Sequence, residues 1–265
     1  MSDITTSSAA TPVDNTGRAI AIALGVALVC AVLVSAVSVG LRPLQQANVE
    51  AERIAQLEVV LSTLSRIGRA QTLADLETHI VELDSGRYDD SIDASTFDAE
   101  RAAAQAASSI AIPADKDLAG LKRRAKHATV YLVRDARDRI DLIIMPLSGR
   151  GYQSTLYAWL VLDGDTRTVR ALKFYKHGET PGIGARIEDP AWEARWHDLR
   201  AFDDLGVLRI GVRKQRAANP DDVNYQVDAI SGATRTSQGV DGMLRFWLGD
   251  FGFGPYLQRI QRERL

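Results

Sequence analysis

Hydrophobic and polar positions change pattern several times along the chain, and each change predicts an element. Residues 1 to 17 are rich in Ser, Thr and Ala and predict a disordered tail. From Ala19 to Leu41 run 23 residues without a charge, bracketed by Arg18 and Arg42. At 1.5 Å rise per residue such a run spans a hydrocarbon core of ~30 Å, so a single transmembrane helix is expected over 18 to 41. A signal peptide would have a shorter apolar core and begin nearer the N-terminus, so a retained anchor is expected. After Pro43, the residues Ile54, Leu57, Val60, Leu61 and Leu64 recur on one helical face. Residues 84 to 117 are rich in Asp, Ser and Ala and predict a looped, partly helical insertion. Together, 42 to 127 are expected to form a membrane-proximal helical and looped region.

From 128 to 265 the pattern becomes that of a folded domain. Runs at 129–134 and 140–147 predict strands around a turn at 135–139, and 156–162 pairs with 169–175 across Asp163-Gly164-Asp165. A helix is expected over 190–199, started by Pro190, then a strand over 207–214. Val240, Met243, Leu244, Trp247 and Leu248 recur at helical spacing, and a second closing helix follows Gly252 to Pro255. Strands in runs with helices between and after them describe an α+β fold: one domain with a mainly antiparallel sheet flanked by helices.

Composition narrows the function classes. The chain has 265 residues, 46% hydrophobic and 25% charged, enough for one sizeable domain and an attachment segment. A formal net charge of -2 leaves no basic excess for a nucleic-acid backbone. The single cysteine, Cys30, lies in the apolar run and has no partner for an internal disulfide. His177 has no second His or Cys at ligand spacing, so no metal site is expected. Arg18 precedes the apolar run while Arg42 and Arg53 follow it, and this count would keep the large domain in the cytoplasm.

The stretch Asp228-Ala229-Ile230-Ser231-Gly232-Ala233-Thr234-Arg235-Thr236 places a sterically open step directly before a predicted helix. On its residues alone it reads first as a strand-to-helix turn capped by Thr236 or Ser237, which needs no ligand. A helix start also offers unpaired N–H groups and the positive end of a dipole, so a phosphate beside Thr234 is the second reading. Gly178 to Gly184 reads as a Gly- and Pro-rich connection with a polar centre, Glu179-Thr180. Trp247 to Pro255 reads as core packing with room for a docking surface.

The stretch from Ser231 to Thr234 resembles the flavin-attachment motif of the covalent FMN-binding subunit family, found in Na+-translocating NADH:quinone reductase and the related Rnf complex. Three further segments resemble the C subunit of the sodium enzyme, in the same order: Gly149-Arg150-Gly151-Tyr152-Gln153-Ser154-Thr155-Leu156-Tyr157-Ala158, His177-Gly178-Glu179-Thr180-Pro181-Gly182-Ile183-Gly184, and Trp247-Leu248-Gly249-Asp250-Phe251-Gly252-Phe253-Gly254-Pro255. The resemblance implies FMN bound covalently to Thr234 by a phosphoester, with Ser231, Gly232 and Ala233 completing the motif. It implies Glu179 and Thr180 as hydrogen-bonding groups and Ile183 as an apolar surface for the ring. Ser154 and Thr155 would lie beside the pocket and Lys214 at a basic position ahead of the attachment site. Gln153 stands where the family often has an aromatic residue. The implied role is an electron relay with no nucleophile or base of its own, among other subunits of a membrane complex that passes electrons from NADH toward ubiquinone. A Mg2+-dependent flavin transferase using FAD is the implied maturation partner. The resemblance places the FMN domain in the periplasm of a bacterial inner-membrane protein, against the charge count. Two other readings stay open: the G subunit of an Rnf-type ferredoxin:NAD+ complex, and a non-redox anchored scaffold.

Overall fold

The computed structural model describes residues 16–66, 72–214 and 220–263. They fall into two compact units, Met1–Ala55 and Gln56–Leu265. The tail expected over 1–17 lies, up to residue 15, outside the described residues.

Helix α1 spans Thr16–Arg66. In the first unit its large apolar side chains from Ile20 to Val34 are exposed, as is Cys30. The transmembrane expectation for 18–41 requires correction: among the described residues no helix is long and apolar enough to cross a membrane. The single-pass inner-membrane location with a periplasmic domain rested on that span and falls with it.

The second unit is organised by one sheet. In chain order its elements are β1 (Glu77–Glu82), β2 (Arg87–Tyr88), α2 (Ala99–Ala104), β3 (Ser109–Ala111), β4 (Arg123–Ala125), β5 (His127–Arg134), β6 (Ile140–Arg150), β7 (Thr155–Asp163) and β8 (Val169–Lys176). Then come α3 (Pro190–Glu193), β9 (Gly211–Arg213), β10 (Gln226–Asp228), α4 (Thr234–Leu248) and α5 (Gly254–Glu263). Six strands form an antiparallel sheet in the order β2-β1-β5-β6-β7-β8, while β9 and β10 form a separate parallel pair. The compact unit begins at Gln56, and the pairing of β1 with β5 carries the sheet upstream of residue 127.

Alternation along the strands sorts the core into two layers. Val130, Leu132, Ile143, Met145, Leu160 and Phe174 face α4 and α5, against Val240, Met243, Leu244, Tyr256 and Leu257. Their neighbours Tyr131, Val133, Leu142, Ile144, Trp159 and Val161 face the other way, against Leu57, Val60 and Leu61 of α1. Each such buried side chain contributes about 1.5–3 kcal/mol. The helix expected over 190–199 is shorter: Asp189 caps it by accepting the Ala191 N–H at 3.0 Å, Pro190 opens it, and after Glu193 the chain tightens into a 3-10 turn, Ala194–Trp196.

Candidate functional site

The site lies at one end of the sheet, where three connections meet. The β6–β7 ladder ends at the Arg150–Thr155 pair, and the four residues between turn back with the Gly151 N–H donating to the Ser154 carbonyl at 2.8 Å. The chain leaving β8 at Lys176 runs through 177–183 beside that turn. Helix α4 begins there as well, packed so closely that a Cβ on Gly239 would sit 2.4 Å from the Arg150 carbonyl oxygen.

Glu179 ties these pieces together. It is 5% exposed, and its Oε1 accepts the N–H groups of Gln153 (2.8 Å) and Ser154 (3.2 Å). Its Oε2 accepts the N–H of Tyr152 (3.3 Å) and the Thr236 hydroxyl (2.5 Å). Burial alone would raise the Glu179 carboxyl; the Thr236 hydroxyl and the three N–H groups outweigh it and hold the pKa below the ordinary 4.5. Glycines make room for this brace: a Cβ on Gly151 would lie 2.6 Å from Oε1, and one on Gly184 would lie 2.8 Å from both Oε2 and the Thr236 hydroxyl. Glu179 therefore spends its oxygens inside the protein, bracing the hairpin turn against the start of α4. His177 is half-buried, and its Nδ1 accepts the Glu179 N–H at 3.2 Å.

The stretch before α4 has a conformational reason for its glycine. The Ala233 N–H donates to the Ile230 carbonyl at 3.0 Å, closing a four-residue turn. Its third residue, Gly232, has φ +81°, the left-handed value that such a position requires, and open space on its side-chain face. Ser237 is buried, and its hydroxyl accepts the Ile230 N–H at 3.1 Å, locking the turn to the helix. Ala233 provides no side-chain cap. Ser231 and Thr234 are exposed, whereas Thr236 is 2% exposed and committed to Glu179. Of the two threonines at this helix start, Thr234 alone offers an accessible hydroxyl.

Around it, Ser154 accepts the Gly178 N–H at 2.6 Å and joins the hairpin turn to the 177–183 connection. Thr155 is half-buried at the base of the hairpin. The Thr180 carbonyl accepts the N–H groups of Ile183 and Ala185, each at 3.1 Å. Ile183 is 48% exposed, an apolar side chain left uncovered at the edge of the site. Lys214 is exposed just past β9, and among the described residues nothing joins it to the others. Asp228 does not cap the turn: its carbonyl accepts the Trp192 indole N–H at 3.0 Å, and its carboxylate lies 3.4 Å from Arg195.

Sequence reasoning did not single out Tyr152, and it took Thr236 only as a cap. Arg235, with its guanidinium 5.3 Å from the centre of the Tyr152 ring, was also missed. No signal in the sequence marks them, since only the fold brings Gly151 and Gly184 against the same carboxylate.

This geometry can hold a flavin mononucleotide. A hydroxyl at the first helical residue stands beside free backbone space, at the end of the helix that favours a phosphate, with Ile183 and Tyr152 uncovered nearby. Residues 151–249 match the FMN-binding domain family. The chain is 36% identical over 257 residues to the C subunit of the Na(+)-translocating NADH-quinone reductase of Yersinia pestis, covering 95% of this chain and 96% of that one. With the corresponding C subunit of Pseudomonas aeruginosa it shares 37% identity over 260 residues, covering 94% and 97%. The chain belongs to the NqrC family, the C subunits of Na+-translocating NADH-quinone reductases. Among solved structures, NqrC of Shewanella oneidensis superposes with a TM-score of 0.65 at 32% identity, over 71% of this chain and 85% of that one. The NqrC structure from Parabacteroides distasonis, 24% identical with a TM-score of 0.58 over 82% and 96%, shares the fold. The Rnf and scaffold readings give way to this membership.

Proposed function

We propose that Thr234 carries FMN through a phosphoester bond. The observation that carries this reading is the contrast at the start of α4, where Thr234 is exposed and Thr236 is buried against Glu179. Attachment from FAD balances simply: the Thr234 hydroxyl loses its proton, an oxygen–phosphorus bond forms to the FMN-side phosphorus, and AMP leaves. A separate transferase supplies that catalysis.

The chain is the FMN-binding electron-relay subunit of the Na+-translocating NADH:quinone oxidoreductase, and works with the other subunits of that membrane complex. Bound flavin supplies one- and two-electron redox chemistry. The protein's own residues hold it in one place. Glu179 braces the hairpin turn against α4, Ser154 pins the 177–183 connection, and Gly232 keeps the approach to Thr234 open. Ile183 offers the ring an apolar surface and Thr180 a polar group, while Ser231, Gly232 and Ala233 present the phosphate to the helix end. Thr155 completes the surroundings as a polar neighbour at the base of the hairpin.

Peptide mass spectrometry of the native complex tests the reading. An FMN adduct on the peptide holding residues 231–236 is expected, and an unmodified peptide overturns it.

A further inference from the structure

We propose that Tyr152 is the aromatic contact of the flavin ring and that Arg235 is the residue that positions it. The inference rests on FMN being carried at Thr234.

Tyr152 is an uncovered aromatic: it is 50% exposed, while Trp192, Trp196, Trp247 and Tyr256 are all buried. Its backbone is nonetheless fixed, because its N–H donates to Glu179 within the closed Gly151–Ser154 turn. A ring on a fixed pivot that packs into no core is placed for something outside the core. Arg235 then fixes the ring itself, with its guanidinium 5.3 Å from the ring centre. Because Arg235 directly follows Thr234, the pair links the attachment residue to the hairpin turn across the mouth of the site.

Arg235 has a second peculiarity. It is a cation in the first turn of α4, where the helix dipole disfavours positive charge, and that turn contains no acidic residue. A phosphoryl group on the neighbouring Thr234 removes the conflict, since the cation then faces a negative charge. One face of the Tyr152 ring is thus occupied by a cation that the attached phosphate stabilises, and the other is left for the isoalloxazine. Gln153, where an aromatic residue was expected, cannot stack in this way, and the adjacent Tyr152 takes that role.

The test uses the full chain co-expressed with a flavin transferase, with attached flavin quantified by mass spectrometry so that emission is read per flavin. In the wild-type protein the phenol quenches flavin fluorescence. Tyr152→Leu is expected to raise emission several-fold and to shift the flavin absorption bands, whereas Tyr152→Phe keeps the band positions because a ring remains. Arg235→Gln is expected to recover part of the emission and to lower the flavin midpoint potential, since a nearby cation is lost. Unchanged emission and absorption in Tyr152→Leu would overturn the inference while leaving covalent attachment standing. Wild-type protein that carries no flavin at all would instead overturn the reading beneath it.

Discussion

The hydroxyl of Thr236 donates to the buried carboxylate of Glu179 at 2.5 Å, although the two residues lie 57 positions apart in sequence. That bond commits one of two threonines on the same helical turn to structure and leaves the hydroxyl of the other, Thr234, exposed for the attachment proposed above.

The division can be measured directly. Thr234→Ala removes an exposed hydroxyl, so it should abolish the flavin adduct and leave urea stability unchanged. Thr236→Ala leaves the Thr234 hydroxyl in place but removes a buried hydrogen bond to a charged group, and should cost about 1.5–3 kcal/mol. An adduct that survives in Thr234→Ala would move the attachment elsewhere.

Acid should loosen the site in a defined direction. The Glu179 pKa is depressed in the folded protein, so the unfolded chain takes up a proton first as pH falls. Its stabilisation is therefore complete above the ordinary value of 4.5 and is lost as pH drops through the folded value. In Glu179→Gln this contribution disappears, so its melting temperature should fall less steeply than that of the wild type below pH ~4.5. Parallel curves for the two proteins would exclude the mechanism.

Two glycines in the same loop should respond differently to alanine. Gly184→Ala puts a methyl 2.8 Å from both Glu179 Oε2 and the Thr236 hydroxyl, and should cost about 1–3 kcal/mol by overpacking while disturbing the flavin spectrum. Gly182→Ala meets nothing within 4 Å, so only the strain of its positive φ remains, about 1–2 kcal/mol, with the spectrum unaltered. Chemical denaturation and flavin absorption together separate the two effects.

The second hydrophobic layer should matter for stability alone. Leu61 is buried with Leu57 and Val60 in the cluster containing Tyr131 and Trp159, on the sheet face away from α4. Leu61→Ala should cost about 2–5 kcal/mol. Flavin attachment measured by in-gel fluorescence at a permissive temperature should not change.

The four long strands were legible because alternation announces them: Val130 and Leu132 face one layer while Tyr131 and Val133 face the other. Strand β1 was not, because Glu77-Thr78-His79-Ile80-Val81-Glu82 holds only two adjacent large apolar residues and owes its state to pairing with β5. The strand expected over 207–214 contracts to Gly211–Arg213, and its parallel partner β10 is set by tertiary contact that no local pattern encodes. At the site, the open Ser-Gly-Ala-Thr step could be read directly. The different fates of Thr234 and Thr236 could not, since burial alone distinguishes them. Nor could Glu179 be recognised as a brace, because all but one of the groups it accepts are backbone N–H groups of a distant turn.

Helix α4 has almost no thickness on the side where Gly239 meets the Arg150 carbonyl and Gly242 meets that of Leu118, at 2.4 and 2.2 Å from an added Cβ. Those two absent methyls act as a shim that sets how high the helix rides over its neighbours, and so where its first residue points. A substitution there would displace Thr234 relative to the hairpin turn without altering either. The placement of the proposed attachment residue is thus set along a bare stripe of helix, one to two turns away from it.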